Sequence, residues 1–286
     1  VSASTARLGS AARPREAVRA RFGDLLAAEW IKLWSLPSTY LLLLVGALVV
    51  LGITANSARS NVDLIARAVD VELQRSAIDP MHAAFVPQAF QILVIVAGSV
   101  GAATLSGEYG SGLIRTTFVA VPARRAVVAA KLAVVTAVML VFGALVSATS
   151  FGVTQAIYDQ QHIGLPFGAP GALRAVAGSA LLAPLSALVG MALAAVVRNA
   201  AGTVVSVIVT LLLLPELFRG ETYRWVKEIG NAMPINAWEA LVENPAQPSR
   251  FPELYPVTIG EAWMVYGAWS AVAVVVAVLV VHRRDV

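Results

Sequence analysis

Apolar residues along this chain gather into long uncharged stretches separated by short charged ones. No charge falls between Lys32 and Arg59, where the densest apolar part runs from Tyr40 to Ile53; further stretches lie between Asp79 and Glu108, Lys131 and Asp159, and Glu261 and Arg283. Each is long enough for a helix to cross a hydrocarbon layer of about 30 Å. The segment from Arg174 to Glu216 is interrupted only by Arg198, and as one helix it would measure about 60 Å, twice that thickness. A mid-bilayer arginine costs at least about 2.5 kcal/mol, so the pattern predicts a fold back at Arg198, with Asn199, Ala200, Ala201 and Gly202 forming the turn. The expected fold is an all-α integral membrane protein with six transmembrane helices.

The segments outside the spans differ in pattern. Residues 1–21 lack periodicity and read as a flexible cytoplasmic tail. Over residues 22–36, Phe22, Leu25, Leu26, Trp30, Leu33 and Trp34 share one broad helical arc, as an interfacial helix requires. Glu29 falls inside that arc, so either the helix faces lipid only in part or Glu29 finds a basic partner in the protein. Pro37 is expected to end this element, leaving Ser38 and Thr39 to start the first span. Residues 37–286 then form the six-span domain, with an outer segment at 216–261. That segment predicts a short helix over 221–230, with Trp225 and Ile229 four apart, followed by Met233, Pro234, Ile235 and Trp238. These are either short re-entrant or leaflet-lying outer helices between spans five and six, or an ordered loop with interfacial tryptophan anchors. Pro245, Pro248, Pro252 and Pro256 argue against continuous helix beyond it.

Composition agrees with a membrane class. The 286 residues are 58% hydrophobic and 13% charged, against about 25% charged in soluble domains. The net charge of +4 sits beside apolar spans, which points to anionic lipid headgroups and topology control and away from nucleic acid. With the N-terminus inside, the inner segments carry Arg7, Arg13, Arg15, Arg19, Arg21, Lys32, Arg115, Arg124, Arg125, Lys131, Arg198, Arg283 and Arg284. That is thirteen of the 21 basic residues, against five acidic ones. The bias predicts a plasma-membrane protein with both termini cytoplasmic. About 39 residues precede Tyr40, too many for a signal-peptide n-region, so the first span is expected to be retained.

Candidate chemistry is sparse. Cysteine is absent, and His82, His162 and His282 form no metal-ligand pattern. The inner loop at about 107–126 is the informative one. Glu108, Tyr109, Gly110, Gly112, Leu113, Ile114 and Arg115 combine a carboxylate at the end of an apolar run, a flexible turn, two apolar side chains and a forked donor. Its glycines do not match the phosphate-cradling loop of nucleotide-binding proteins, and neither does any other part of the chain. No cofactor is expected on this chain, and an ATP-driven process would need a partner to hold the nucleotide. Within the spans, Gln88 and Gln91 could touch a polar solute or a neighbouring helix, and Pro184 is expected to kink span four. Gly98 and Gly101, with Ala97, Ser99 and Ala102, offer a surface for close helix packing.

In order along the chain, Ala28-Glu29-Trp30-Ile31-Lys32-Leu33-Trp34-Ser35, Glu108-Tyr109-Gly110-Ser111-Gly112-Leu113-Ile114-Arg115, Pro122-Ala123-Arg124-Arg125 with Lys131, and Arg198-Asn199-Ala200-Ala201-Gly202 resemble features of permease subunits of bacterial type-2 ABC transporters. The resemblance covers essentially the whole chain. It implies an exporter permease that pairs with a second permease subunit, identical or homologous, and with two cytoplasmic ATPase subunits that hold ATP and Mg. It also implies that Glu29, Trp30 and Lys32 lie on an approach helix along the inner leaflet and that residues 108–115 couple to the ATPase, so this chain itself is not expected to be an enzyme. The lack of an attached ATPase and of a folded extracellular domain departs from the larger efflux members and leaves the substrate class open. An ion-coupled carrier or channel, or a membrane-embedded enzyme, are the competing readings. The first commonly keeps ionisable groups at mid-span, and the second needs acids or nucleophiles converging at one depth.

Overall fold

A computed structural model describes residues 21–110, 124–247 and 253–283. Helices account for its regular structure: α1 (Phe22–Ser35), α2 (Pro37–Arg67), α3 (Val71–Ala77), α4 (Pro87–Gly110), α5 (Arg124–Asp159), α6 (Ala172–Val197), α7 (Ala200–Leu217), α8 (Arg224–Asn231), α9 (Pro234–Val242) and α10 (Ile259–Arg283). Six of them, α2, α4, α5, α6, α7 and α10, are long and apolar enough to cross a membrane. The chain is thus all-α among the described residues and consistent with a multi-pass membrane protein.

Alternating spans define two faces. The N-terminal face carries α1, the end of α4, the start of α5 and the α6–α7 turn; the distal face carries the α2–α4 connection and residues 218–247 and 253–258. Helix α6 is central, packed against α4, α5, α7, α9 and α10. Accordingly 78% of its apolar stretch is buried within the chain, whereas α2, α7 and α10 bury 22% each.

Apolar burial gives helices little reason to associate in lipid, so close backbone approach has to supply the packing energy. The small-residue surface on α4 does this. A Cβ at Gly101 would lie 2.0 Å from the Ala187 carbonyl oxygen of α6, and one at Gly190 would lie 2.1 Å from the Gly98 carbonyl oxygen. Pro184, buried inside α6, lacks the amide hydrogen that would bond the Ala180 carbonyl. That same carbonyl faces Gly143 of α5, where a Cβ would come within 2.1 Å. The proline and the glycine therefore act together, one freeing an oxygen and the other admitting it to the neighbouring helix.

Several boundaries differ from the sequence pattern. Pro37 does not end α1: the joint is Leu36, extended in conformation, and Pro37 is the first residue of α2, where its missing amide hydrogen is harmless. Helix α2 runs on past Arg59 to Arg67, 31 residues in all, or about 46 Å. Its extension pairs with the still longer α5, 36 residues, as Asn61 donates to the Tyr158 hydroxyl at 2.7 Å. Helix α7 opens to π geometry over Val209–Leu213, where Pro215 has no amide hydrogen to offer Leu211. Between α7 and α10 the described residues form two short helices, α8 and α9. Trp225 on α8 is exposed, but Trp238 on α9 is completely buried, stacked on Phe90 at 5.2 Å and donating to Ser179 Oγ at 2.8 Å. It is a core residue and not a surface anchor.

Candidate functional site

Four charged side chains from three helices meet at the N-terminal face. Glu29 and Lys32 sit one turn apart on α1, Glu108 lies at the end of α4, and Lys131 lies two turns into α5. Lys131 Nζ donates to Glu29 Oε2 and to Glu108 Oε1, the latter at 2.9 Å, while Lys32 Nζ donates to Glu29 Oε1 at 2.8 Å and to Glu108 Oε1 at 3.0 Å. Two ammonium groups and two carboxylates close a ring in which each cation touches both anions.

Burial makes this ring matter. Glu29, Glu108 and Lys131 are 5%, 8% and 4% exposed, so removing one charge would leave its partners unpaired in a low-dielectric site. Only the Lys32 side chain reaches water, at 40% exposure. Burial alone would push the Lys32 ammonium down, but hydrogen bonds and attraction from Glu29 and Glu108 outweigh it and hold its pKa above the ordinary lysine value. Thus α1 is tied through charge to the two helices that flank residues 111–123.

A second contact joins this region to the α6–α7 turn. Arg198 ends α6 in the left-handed conformation, φ 58°, a strained geometry for a side chain of this size. Only Arg198 and Asn199 make the turn: Ala200, Ala201 and Gly202, expected in it, already form the first turn of α7, which Asn199 caps by accepting from Gly202 N at 3.0 Å. The Arg198 guanidinium stacks over the Tyr109 ring, 5.2 Å from its centroid, as a cation–π contact would. Its Nε and Nη2 are buried without a hydrogen-bond partner.

Of the residues expected at a coupling surface, Glu108 joins Glu29 and Lys32 in the ring, Tyr109 lies against Arg198 and Gly110 ends α4, whereas Gly112, Leu113, Ile114 and Arg115 lie outside the described residues. Trp30 points away from the ring, 51% exposed, edge-on to Trp34 at 5.8 Å. Gln88 and Gln91, at the other end of α4, and Pro184 in α6 are not part of this site. Sequence reasoning counted Lys131 and Arg198 as topology determinants and missed them as members. The available signal was Glu29 itself, a carboxylate on an apolar arc that required a basic partner.

The fold and the site define an all-α protein, among the described residues, with six helices long and apolar enough to span a membrane, consistent with a polytopic membrane protein, and with a buried ring of charge at one face. No family model matches the chain, and no curated protein matches it significantly.

Proposed function

We propose that this chain is the membrane-spanning permease subunit of an ATP-driven exporter of the ABC-2 type, lying in the plasma membrane with both termini cytoplasmic. It forms the translocation path with a second permease subunit, identical or homologous. Two cytoplasmic ATPase subunits bind ATP and Mg and drive it.

The ring of Glu29, Lys32, Glu108 and Lys131 carries this reading. A partner pressing on the loop between α4 and α5 can move the spans only if the loop's flanking helices move as a body with what lies beside them. Buried, multiply hydrogen-bonded charges supply such rigidity, because separating them exposes uncompensated charge. The resemblance along the chain supplies the direction of the proposal. Ionisable side chains are absent from the middle of every span among the described residues, which weakens the ion-coupled alternative.

The test is co-expression with a candidate cytoplasmic ABC ATPase, followed by reconstitution. A stable complex whose ATPase activity responds to the permease supports the reading. Glu108→Gln and Arg115→Lys are expected to leave insertion intact and weaken that response, since an ammonium cannot reproduce the guanidinium fork. An active single-chain monomer, transporting without ATP, would overturn it.

A further inference from the structure

The distal face holds a cavity of about 770 Å³ between the α2–α4 connection and residues 219–247 and 253–257. Its lining holds five carboxylates, on Asp79, Glu221, Glu239, Glu243 and Glu253, against the two cations Arg219 and Lys227. Both cations are engaged. Arg219 pairs with Glu239 at 2.8 Å and Glu216 at 3.0 Å, and Lys227 pairs with Glu253 at 2.9 Å and Glu221 at 3.5 Å.

The amide side chains repeat the pattern. Asn231 Nδ2 donates to the Tyr255 carbonyl at 2.9 Å, Asn236 Nδ2 to the Gly230 carbonyl at 3.0 Å, and Gln247 Nε2 to the Ser76 carbonyl at 2.8 Å. Their donors are thus spent on backbone. Left over are acceptors: the Oδ1 atoms of Asn231 and Asn236 are buried with no partner, and Asn236 is only 8% exposed. Glu243 has no ion-pair partner among the described residues and is exposed. A buried acceptor without a donor carries a desolvation penalty that a bound N–H would relieve.

We infer that the distal cavity binds an organic cation bearing ammonium groups, whose N–H donors satisfy Asn231 and Asn236 and whose charge faces Glu243 and Asp79. The volume suits a small organic solute. A bare metal ion fits less well, because such ions need several oxygens converging on one point, and among the described residues no acidic or histidine group converges so. The site needs no ATPase and stands independently of the permease reading.

The test is calorimetric titration of spermidine into the chain in nanodiscs of neutral phosphatidylcholine. Saturable binding is expected, weakened about tenfold by Glu243→Gln. Glu72→Gln removes the same charge from α3, on the same face but outside the cavity, and is expected to change affinity by no more than about twofold. Asn236→Leu is expected to weaken binding as well; should it fail to fold, the comparison of the two glutamate variants decides. Octanediol, similar in reach but uncharged, should not bind. Absence of saturable spermidine binding, or equal losses in Glu243→Gln and Glu72→Gln, would overturn the inference, since the second outcome means diffuse surface charge.

Discussion

Glu108 Oε1 and Lys131 Nζ stand 2.9 Å apart, on opposite flanks of the loop between α4 and α5, and Lys131 also reaches Glu29 on α1. Lys131 is the buried hub and Lys32 the exposed one, so their removal should differ. Lys131→Met is expected to destabilise by about 3–5 kcal/mol. Lys32→Met, discounted for solvent screening, should lose about 1 kcal/mol or less. Thermal unfolding of the two variants in one detergent checks this, and equal midpoints would mean that the ring holds nothing in place.

The packing of α4 on α6 yields a sharper comparison within one helix. Gly101→Ala places a methyl against the Ala187 carbonyl, whereas at Gly107 a Cβ would meet nothing within 4 Å. Gly101→Ala is expected to destabilise by about 1–3 kcal/mol. Gly107→Ala should be neutral or stabilising by up to about 1 kcal/mol, since it removes backbone freedom from the unfolded chain.

Glu239 makes distal-face stability depend on pH. Burial pushes its carboxyl above the ordinary range, only partly opposed by Arg219. Because the fold favours the protonated form, this group's contribution is present below its raised folded pKa and lost as pH rises through it. The chain should therefore gain stability from Glu239 as pH falls from neutral toward the ordinary carboxylate value. Glu239→Gln should remove that part of the dependence, read as the difference between wild-type and variant melting curves across this window.

The proposed orientation rests on the distribution of basic residues and is open to direct labelling. The chain has no cysteine, so single cysteines at Ser10, Ala126 and Ser249 report without background. An impermeant thiol reagent on intact cells is expected to label only Ser249→Cys. Labelling of Ser10→Cys alone would reverse the topology.

The spans were legible because charges bound each apolar run, and the Arg198 turn because one helix of that length would exceed the bilayer. The run of α2 beyond Arg59 was not: Arg59, Asp63 and Arg67 read as the end of a membrane segment, yet charge does not stop a helix that has left the hydrocarbon. Trp238 and Lys131 were misplaced for a related reason. Periodicity describes neighbours one turn away, while Ser179 lies 59 positions from Trp238 and Glu29 lies 102 from Lys131. Glu29 showed that a partner was needed without showing which residue it would be.

Reversing the charge ring tests the role of Glu29, Lys32, Glu108 and Lys131 in coupling. Glu29→Lys, Lys32→Glu, Glu108→Lys and Lys131→Glu together preserve every pair, and they leave the net charge of each inner segment unchanged. The measurement is ATPase turnover of the reconstituted complex with its partner subunits, for the wild type, for Lys131→Glu alone and for the fourfold reversal. Lys131→Glu alone is expected to abolish the permease-dependent response, and the fourfold reversal to recover most of it. A wild-type response in Lys131→Glu, or no complex with an ATPase at all, would contradict the proposed coupling.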